Sequence, residues 1–282
     1  MKNMYDIRML CKAVSLHHSV YYYHKKNTEN SYKKANEELD KKILEEFEKS
    51  KRRYGSPKIT KILKKQGIQV SQKRVARRMK YLGIKSIIVK KYNHNGNKKV
   101  DDKNKENLLD QNFKAEKPSE KWVGDITYIY TKETGWTYLA IVMDLFDLKI
   151  IGWSYGQNMT TELVISAFMK AKITRGTTNE MIFHSDLGSQ YTSKEFENLL
   201  LENNVKHSYS KKGYPYDNAS MESFNAILKK EKVNVNTYET FKEAKMAIFE
   251  FIESWYNNTR IHSSNGYITP NQKYAEYLKS IA

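Results

Sequence analysis

Between Lys49 and Lys99 the chain carries 18 lysines and arginines and no acid at all. A block so uniformly positive cannot disappear into a single large core, because an unpaired charge taken out of water is strongly penalised. It must fold as a small unit with its charge outside, and that field attracts a polyanion, most commonly nucleic acid. The imbalance is regional. Residues 1–117 hold 31 basic and 13 acidic side chains, whereas residues 118–282 hold 18 and 19, within a net charge of +17. All four tryptophans (Trp122, Trp136, Trp153, Trp255) lie in the balanced part, so the larger packed core belongs there. The single cysteine, Cys11, excludes a disulfide framework or a cysteine-based zinc site and suits a reducing compartment. No apolar run approaches the roughly 18 residues of a membrane span, and the first residues lack the apolar core of a signal peptide. The expectation is a cytoplasmic protein with no membrane partner.

Residues 1–50 read as helical, with a short pair over 5–25 and an amphipathic helix over 31–49 whose stripe is Ala35, Leu39, Ile43 and Phe47. Residues 51–89 read as a helix-turn-helix. Ser56 and Pro57 open its first helix, Ile59, Ile62 and Leu63 line one face, and Gly67 ends it. Ser71 caps the second helix, Val75, Met79 and Leu82 form its inner stripe, and Gly83 closes it. Gln72, Lys73, Arg74, Arg77 and Arg78 remain for the outside, where a recognition helix meets a DNA groove. Residues 90–118 have the composition of a linker, with a short helix near 101–113. From 119 to 282 the pattern is α/β: strands at 122–131, 136–146 and 149–156, a helix near 160–173, a strand at 181–186, a helix at 194–203, a strand at 205–210 and a long helix at 238–257.

Three carboxylates stand in distinctive settings within that region. Asp125 lies inside the apolar, β-branched run WVGDITYIYT; Asp186 follows the short run MIFHS and precedes Gly188; Glu222, separated from Asp186 by 35 residues, lies near the start of a helix. Asn218, Glu222, Asn225 and Lys229 recur at helical spacing and share one face. Hard divalent ions take oxygen ligands, and a pair of them about 3.5–4 Å apart clamps both the attacking and the leaving oxygen of a phosphodiester. Two strand carboxylates and one helix carboxylate are what such a site needs.

The blocks HSDLGSQYTS, DNASMES and YNNTRIHSSNGYITP, with WVGDITYIYT upstream, resemble the DDE transposases of the insertion sequence 3 family, in the retroviral-integrase superfamily. The likeness extends into the helix-turn-helix segment. It implies a ribonuclease H-like catalytic core, a mixed five-stranded sheet with helices, behind a helical DNA-binding domain. It implies DNA cleavage and strand transfer at insertion-sequence ends, with Asp125, Asp186 and Glu222 as catalytic metal ligands for two Mg²⁺ or Mn²⁺ ions. Lys229 and Arg260 are then expected at DNA, with terminal inverted repeats and target DNA as partners. A homo-oligomer on DNA and the product of an upstream reading frame complete the expected assembly. Gly124 stands where the family more often has Thr, Leu187 where a polar residue is common, and Asn265 where an apolar one is expected.

Other acids and histidines compete for roles. Asp144 and Asp147 read as turn or hydrogen-bonding residues, Asp217 as a turn or cap, Glu231 as a surface ion pair, and His184, His207 and His262 as packed structural histidines. A nuclease that cuts without joining is a rival reading that a strand-joining assay separates. A DNA-binding regulator that has lost catalysis would lack one of the three carboxylates, and all are present.

Overall fold

The computed structural model describes residues 6–26, 31–87, 106–211 and 215–282. The chain divides into two compact units, Met1–Ser86 and Ile87–Ala282.

In the first unit, α1 (Ile7–Ala13) and α2 (His18–Lys26) form the short pair, and α3 (Ser31–Lys49), α4 (Ser56–Lys65) and α5 (Gln72–Tyr81) pack on one another. Leu39, Ile43 and Phe47 of α3 meet Ile59 and Leu63 of α4 and Val75 and Met79 of α5 as the buried set. Ala35, expected on that stripe, is exposed, and Asn36 is buried in its stead. Gly55, not Ser56, is the N-cap of α4, which places Pro57 in the first turn where its missing N–H costs nothing. Ser71 caps α5 as its sequence suggests, its Oγ accepting from the Arg74 N–H at 3.2 Å.

Two residues expected at DNA instead face inward. Arg74 donates to Asn36 Oδ1 at 2.9 Å, and Arg78 binds the Asp40 carboxylate with Nε at 2.7 Å and with a second nitrogen. Arg78 also lies over the Tyr81 ring, 4.2 Å from its centroid. A two-pronged guanidinium–carboxylate pair, partly shielded from water, fastens α5 to α3. Lys73, Arg77 and Lys80 are the exposed cations of that helix.

The second unit is built on a five-stranded sheet of order β3-β2-β1-β4-β5, comprising β1 (Lys121–Thr131), β2 (Gly135–Asp144), β3 (Lys149–Gly156), β4 (Ile182–Ser185) and β5 (Lys206–Tyr209). The first three form an antiparallel meander, and β4 and β5 run parallel to β1, which is the ribonuclease H-like arrangement. On one face Trp122, Ala140, Val142, Ile151 and Phe183 pack against Leu163, Val164, Ala167 and Phe168 of α6 (Thr161–Arg175) and Phe196 and Leu200 of α7 (Lys194–Glu202). α9 (Phe241–Phe249) and a π-helical turn (Glu250–Tyr256) cover the other, where Phe241 stacks on Tyr155 at 4.6 Å. The long helix read at 238–257 is thus an α-helix that widens into π geometry.

The stretch 90–118 is not wholly a linker. Residues 88–105 lie outside the described residues, but 106–118 are fastened to the sheet. Leu109 is buried, Tyr209 N–H donates to Glu106 O at 2.9 Å, and the nearly buried Lys121 ammonium donates to the carbonyls of Asn112 and Lys114 at 3.0 and 2.8 Å. Polar composition hid this, because carbonyls and amides rather than apolar side chains make most of the attachment.

Asp144 and Asp147, at the β2–β3 turn, are both fully buried and both bind Arg175 at the end of α6, Asp144 at 2.7 Å. Backbone N–H groups of Ser119 and Phe146 donate to Asp144 as well. Burial nevertheless pushes the Asp144 carboxyl up to about 6, the Arg175 charge pulling the other way. Tyr274 of the C-terminal helix α10 (Pro270–Ile281) closes over Arg175, 3.9 Å from the guanidinium. Asn265, the departure from the expected apolar residue, donates to Asp147 O at 2.6 Å and so joins the same turn.

Two glycines permit close approaches. A Cβ on Gly124 would come 2.5 Å from Phe183, so the glycine before Asp125 lets an aromatic ring lie against β1. A Cβ on Gly152 of β3 would come 2.2 Å from Ala167 O and 2.6 Å from Ala171 N, both backbone atoms of α6. Gly152→Ala must push α6 off the sheet, an overpacking cost of about 1–3 kcal/mol. Thermal unfolding should register a fall of several degrees in Tm; an unchanged Tm would mean that the helix has room to move.

Candidate active site

The register of β1 and β4 aligns the first two carboxylates. Val123 is level with His184 in the parallel ladder, so two residues further on Asp125 and Asp186 stand level where the strands diverge. Asp125 is half-buried, and its carboxyl is pushed up to about 7. Burial is the main cause and the Asp186 charge the next, with a smaller push from Glu222. The Ile126 N–H and the Asn225 amide work against this, Asn225 Nδ2 donating to Asp125 Oδ2 at 2.6 Å. The Asp186 side chain reaches solvent, yet the protein crowded around its carboxyl raises its pKa, offset in part by the Gly188 N–H at 3.0 Å. Between them Tyr191 is buried against Phe183, and burial together with both carboxylates drives its hydroxyl well above the usual range.

Glu222 sits in the first turn of α8 (Ala219–Leu228), which is anchored by Met221, Phe224 and Leu228. The opposite face carries Asn218, Glu222 and Asn225, and it is turned to β1: Asn218 Nδ2 donates to Gly124 O at 3.4 Å and Asn225 to Asp125. Asn218 occupies the N-cap position without capping; its side chain is spent on the strand. Among the described residues no three His, Cys, Asp or Glu side chains are already closed into a metal cage. Asp125 lies within reach of the charges of both Asp186 and Glu222. The donor set suits a hard divalent cation: hard carboxylate oxygens, with the Asp125 carboxyl pushed up to about 7 by burial first and by its negative neighbours second.

The remaining candidates separate cleanly. His184 is buried between Ser208 and Ser210, each hydroxyl 2.9 Å from a ring nitrogen, and burial lowers its pKa to about 4. It is a neutral packing residue. His207 bonds Ser185 at 3.0 Å, and the buried His262 meets the Tyr256 ring edge-on. Arg260, expected at DNA, is buried and paired with Glu231 at 3.0 Å, while Trp255 Nε1 donates to the same carboxylate. Glu231 is accordingly an interior ion pair rather than a surface one. Lys229 is half-buried, where α8 passes into a π-helical turn. Sequence reasoning gave Tyr191 and Arg175 no role; Tyr191 lies inside the HSDLGSQYTS block, whereas nothing near Arg175 in sequence points to Asp144 or Asp147.

Known proteins resemble this chain over most of its length. Residues 115–215 and 203–270 match two family descriptions of an integrase core domain, and residues 34–92 match an HTH-like domain. A transposase for insertion sequence element IS904 from Lactococcus lactis is 42% identical over 233 residues, covering 82% of this chain and 91% of that protein. Transposase InsF for insertion sequence IS3A from Escherichia coli is 34% identical over 270 residues, covering 95% and 93%. The chain belongs to the insertion sequence 3 family of transposases. A more distant likeness is the HTLV-2 integrase catalytic core domain solved with magnesium, at 21% identity and a TM-score of 0.44, covering 57% of this chain and 99% of that one.

In this transposase the raised Asp125 pKa has a consequence for stability. Its folded value of about 7 lies above the model value of 3.8, so between the two the folded state keeps a proton that the unfolded state has lost. Stability in metal-free buffer therefore falls as pH rises from about 4 to about 7. Asp125→Asn should be more stable than the parent at pH 8 and give a shallower fall in Tm from pH 5 to pH 8. Equal slopes in the two proteins would show that Asp125 is not held protonated.

Proposed function

We propose that this chain cleaves DNA at the ends of an insertion-sequence element and joins those ends to target DNA by divalent-metal-assisted phosphoryl transfer. The observation that carries the reading is the coupling of Asp125 to the charges of Asp186 and Glu222 on an integrase-type core. Asp125, Asp186 and Glu222 would hold two Mg²⁺ or Mn²⁺ ions. Bound there, such ions lower the pKa of an attacking water or 3′-hydroxyl and offset the charge on the departing 3′-oxygen. The protein's own part is to hold the carboxylates: Asn225 fixes one oxygen of Asp125, Gly188 N–H fixes one of Asp186, and α8 presents Glu222. Asp125 has a proton to surrender, so metal binds more tightly as pH rises through about 7.

Residues 51–89 are the proposed DNA-binding domain and 119–282 the catalytic domain, with residues 106–118 added to the latter. Lys73 and Arg77 are the cations offered to DNA from α5, and Lys229 contacts phosphate near the catalytic centre. The partners are terminal inverted repeats and target DNA, bound by a homo-oligomer, with an upstream-frame product as a further subunit. No described helix is long and apolar enough to cross a membrane.

Asp125→Ala, Asp186→Ala and Glu222→Gln should bind terminal-repeat DNA at the parent's affinity yet neither nick nor join it. Full activity in any of them removes that residue from the site. Lys73→Ala and Arg77→Ala should weaken end binding and flatten its salt dependence by about one counter-ion each, at unchanged Tm. Arg78→Ala should instead lower Tm, because it frees the Asp40 carboxylate; a normal Tm with lost binding would return Arg78 to the DNA.

A further inference from the structure

Asp217 is an acid that neither caps a helix nor pairs with a cation in any contact described. It is almost completely buried, in a 3₁₀ turn (Pro215–Asn218) that leads directly into α8. Its carboxylate accepts three neutral donors: Gln111 Nε2 on one oxygen at 2.9 Å, and Asn107 Nδ2 at 2.9 Å and Lys211 N–H at 2.8 Å on the other. Asn107 and Gln111 belong to the segment that precedes the sheet. That segment is itself anchored, by Leu109 N–H donating to Ser208 Oγ at 3.0 Å and by Glu106 O accepting from Tyr209 N–H. Ser208 in turn holds His184, two residues before Asp186, and the Asp217 carbonyl and charge also act on the His184 ring.

A buried carboxylate bound to neutral amides is a costly way to make a turn, since an apolar residue would avoid the desolvation. What it provides is direction. Three donors from two separate segments fix both oxygens, and with them the point at which the chain enters α8. The next residue, Asn218, reaches Gly124 O beside Asp125, and the first turn of the helix carries Glu222.

We propose that Asp217, clasped by Asn107 and Gln111, is the positioning residue that sets where Glu222 stands relative to Asp125 and Asp186. Met221, Phe224 and Leu228 seat the helix on the core, and Asn218 and Asn225 tie it to β1. The clasp adds a polar constraint at the point where the chain enters the helix, and it comes from the segment before the sheet. This inference rests on the assignment of Glu222 as a metal ligand.

The test uses the full chain and Mn²⁺ alone as the probe, by calorimetric titration, together with strand joining and amide hydrogen exchange across residues 215–228. Asp217→Asn and the double variant Asn107→Ala/Gln111→Ala should each weaken Mn²⁺ binding about 10-fold, the lower end of what is lost when a group orienting a ligand is removed. Exchange should quicken in the first turn of α8, and terminal-repeat DNA affinity should be unchanged. Asn107→Asp, added to Asp217→Asn, restores a carboxylate–amide pair and should recover part of the lost affinity. Gly152→Ala, destabilised on edge strand β3, two strands away from β1 and in contact with α6 rather than α8, serves as the control and should leave Mn²⁺ affinity at the parent's value. Parent-like Mn²⁺ affinity in the clasp variants, no recovery in the swapped pair, or an equal loss in Gly152→Ala would each overturn the proposal. Glu222→Gln measured alongside separates the two levels. If it binds Mn²⁺ and joins DNA like the parent, the catalytic assignment itself fails; if it is inactive while the clasp variants are normal, only the clasp fails.

Discussion

A carboxylate held in the central strand of a sheet, with two more negative charges beside it, is the unfavourable arrangement around which the catalytic unit is organised. Asp125 is tolerated in β1 because its surroundings compensate locally. The Asn225 amide and the Ile126 N–H bond it, and its pKa rises until it carries a proton near neutral pH. In a binding site for hard cations that same unfavourable charge becomes the affinity, since a divalent ion offsets what the protein alone cannot.

The supporting parts follow from that demand. The parallel pairing of β1 with β4 brings Asp186 level with Asp125, and Gly124 leaves room for Phe183 and Tyr191 to seal the space beneath. α8 crosses the strand end with two asparagines turned to β1, so that its acid faces the same way. On the far side the buried Asp144–Arg175–Asp147 group ties the β2–β3 turn to α6, and Tyr274 ties both to the C-terminal helix. Removing one partner of such a buried group strands a charge, so its single-residue loss is strongly destabilising to the turn.

The helical unit divides its arginines by a rule that charge counting does not reveal. On α5, Arg74 and Arg78 are four residues apart on the flank nearest α3, and Asn36 and Asp40 are four residues apart on the facing helix. Two matched rungs result, and the cations left to the solvent are Lys73, Arg77 and Lys80. Arg260 is withdrawn in the same way by Glu231. A cation's proximity to DNA-binding sequence is therefore a poor guide to its role until its nearest carboxylate is known.

Element types and order were legible from the sequence alone, and the three acids proposed as metal ligands each lie in a local pattern: alternation in β1, a short apolar run ending at Asp186, helical spacing from Asn218 to Lys229. Local pattern suffices there because strand and helix periodicity are properties of neighbouring residues. Pairings between distant residues were decided only by the tertiary structure: Asp40 with Arg78, Glu231 with Arg260, Asp144 and Asp147 with Arg175, Asp217 with Asn107 and Gln111. Each depends on two segments meeting in space, and a charged or amide side chain reads the same in sequence whether it ends in water or against a buried partner.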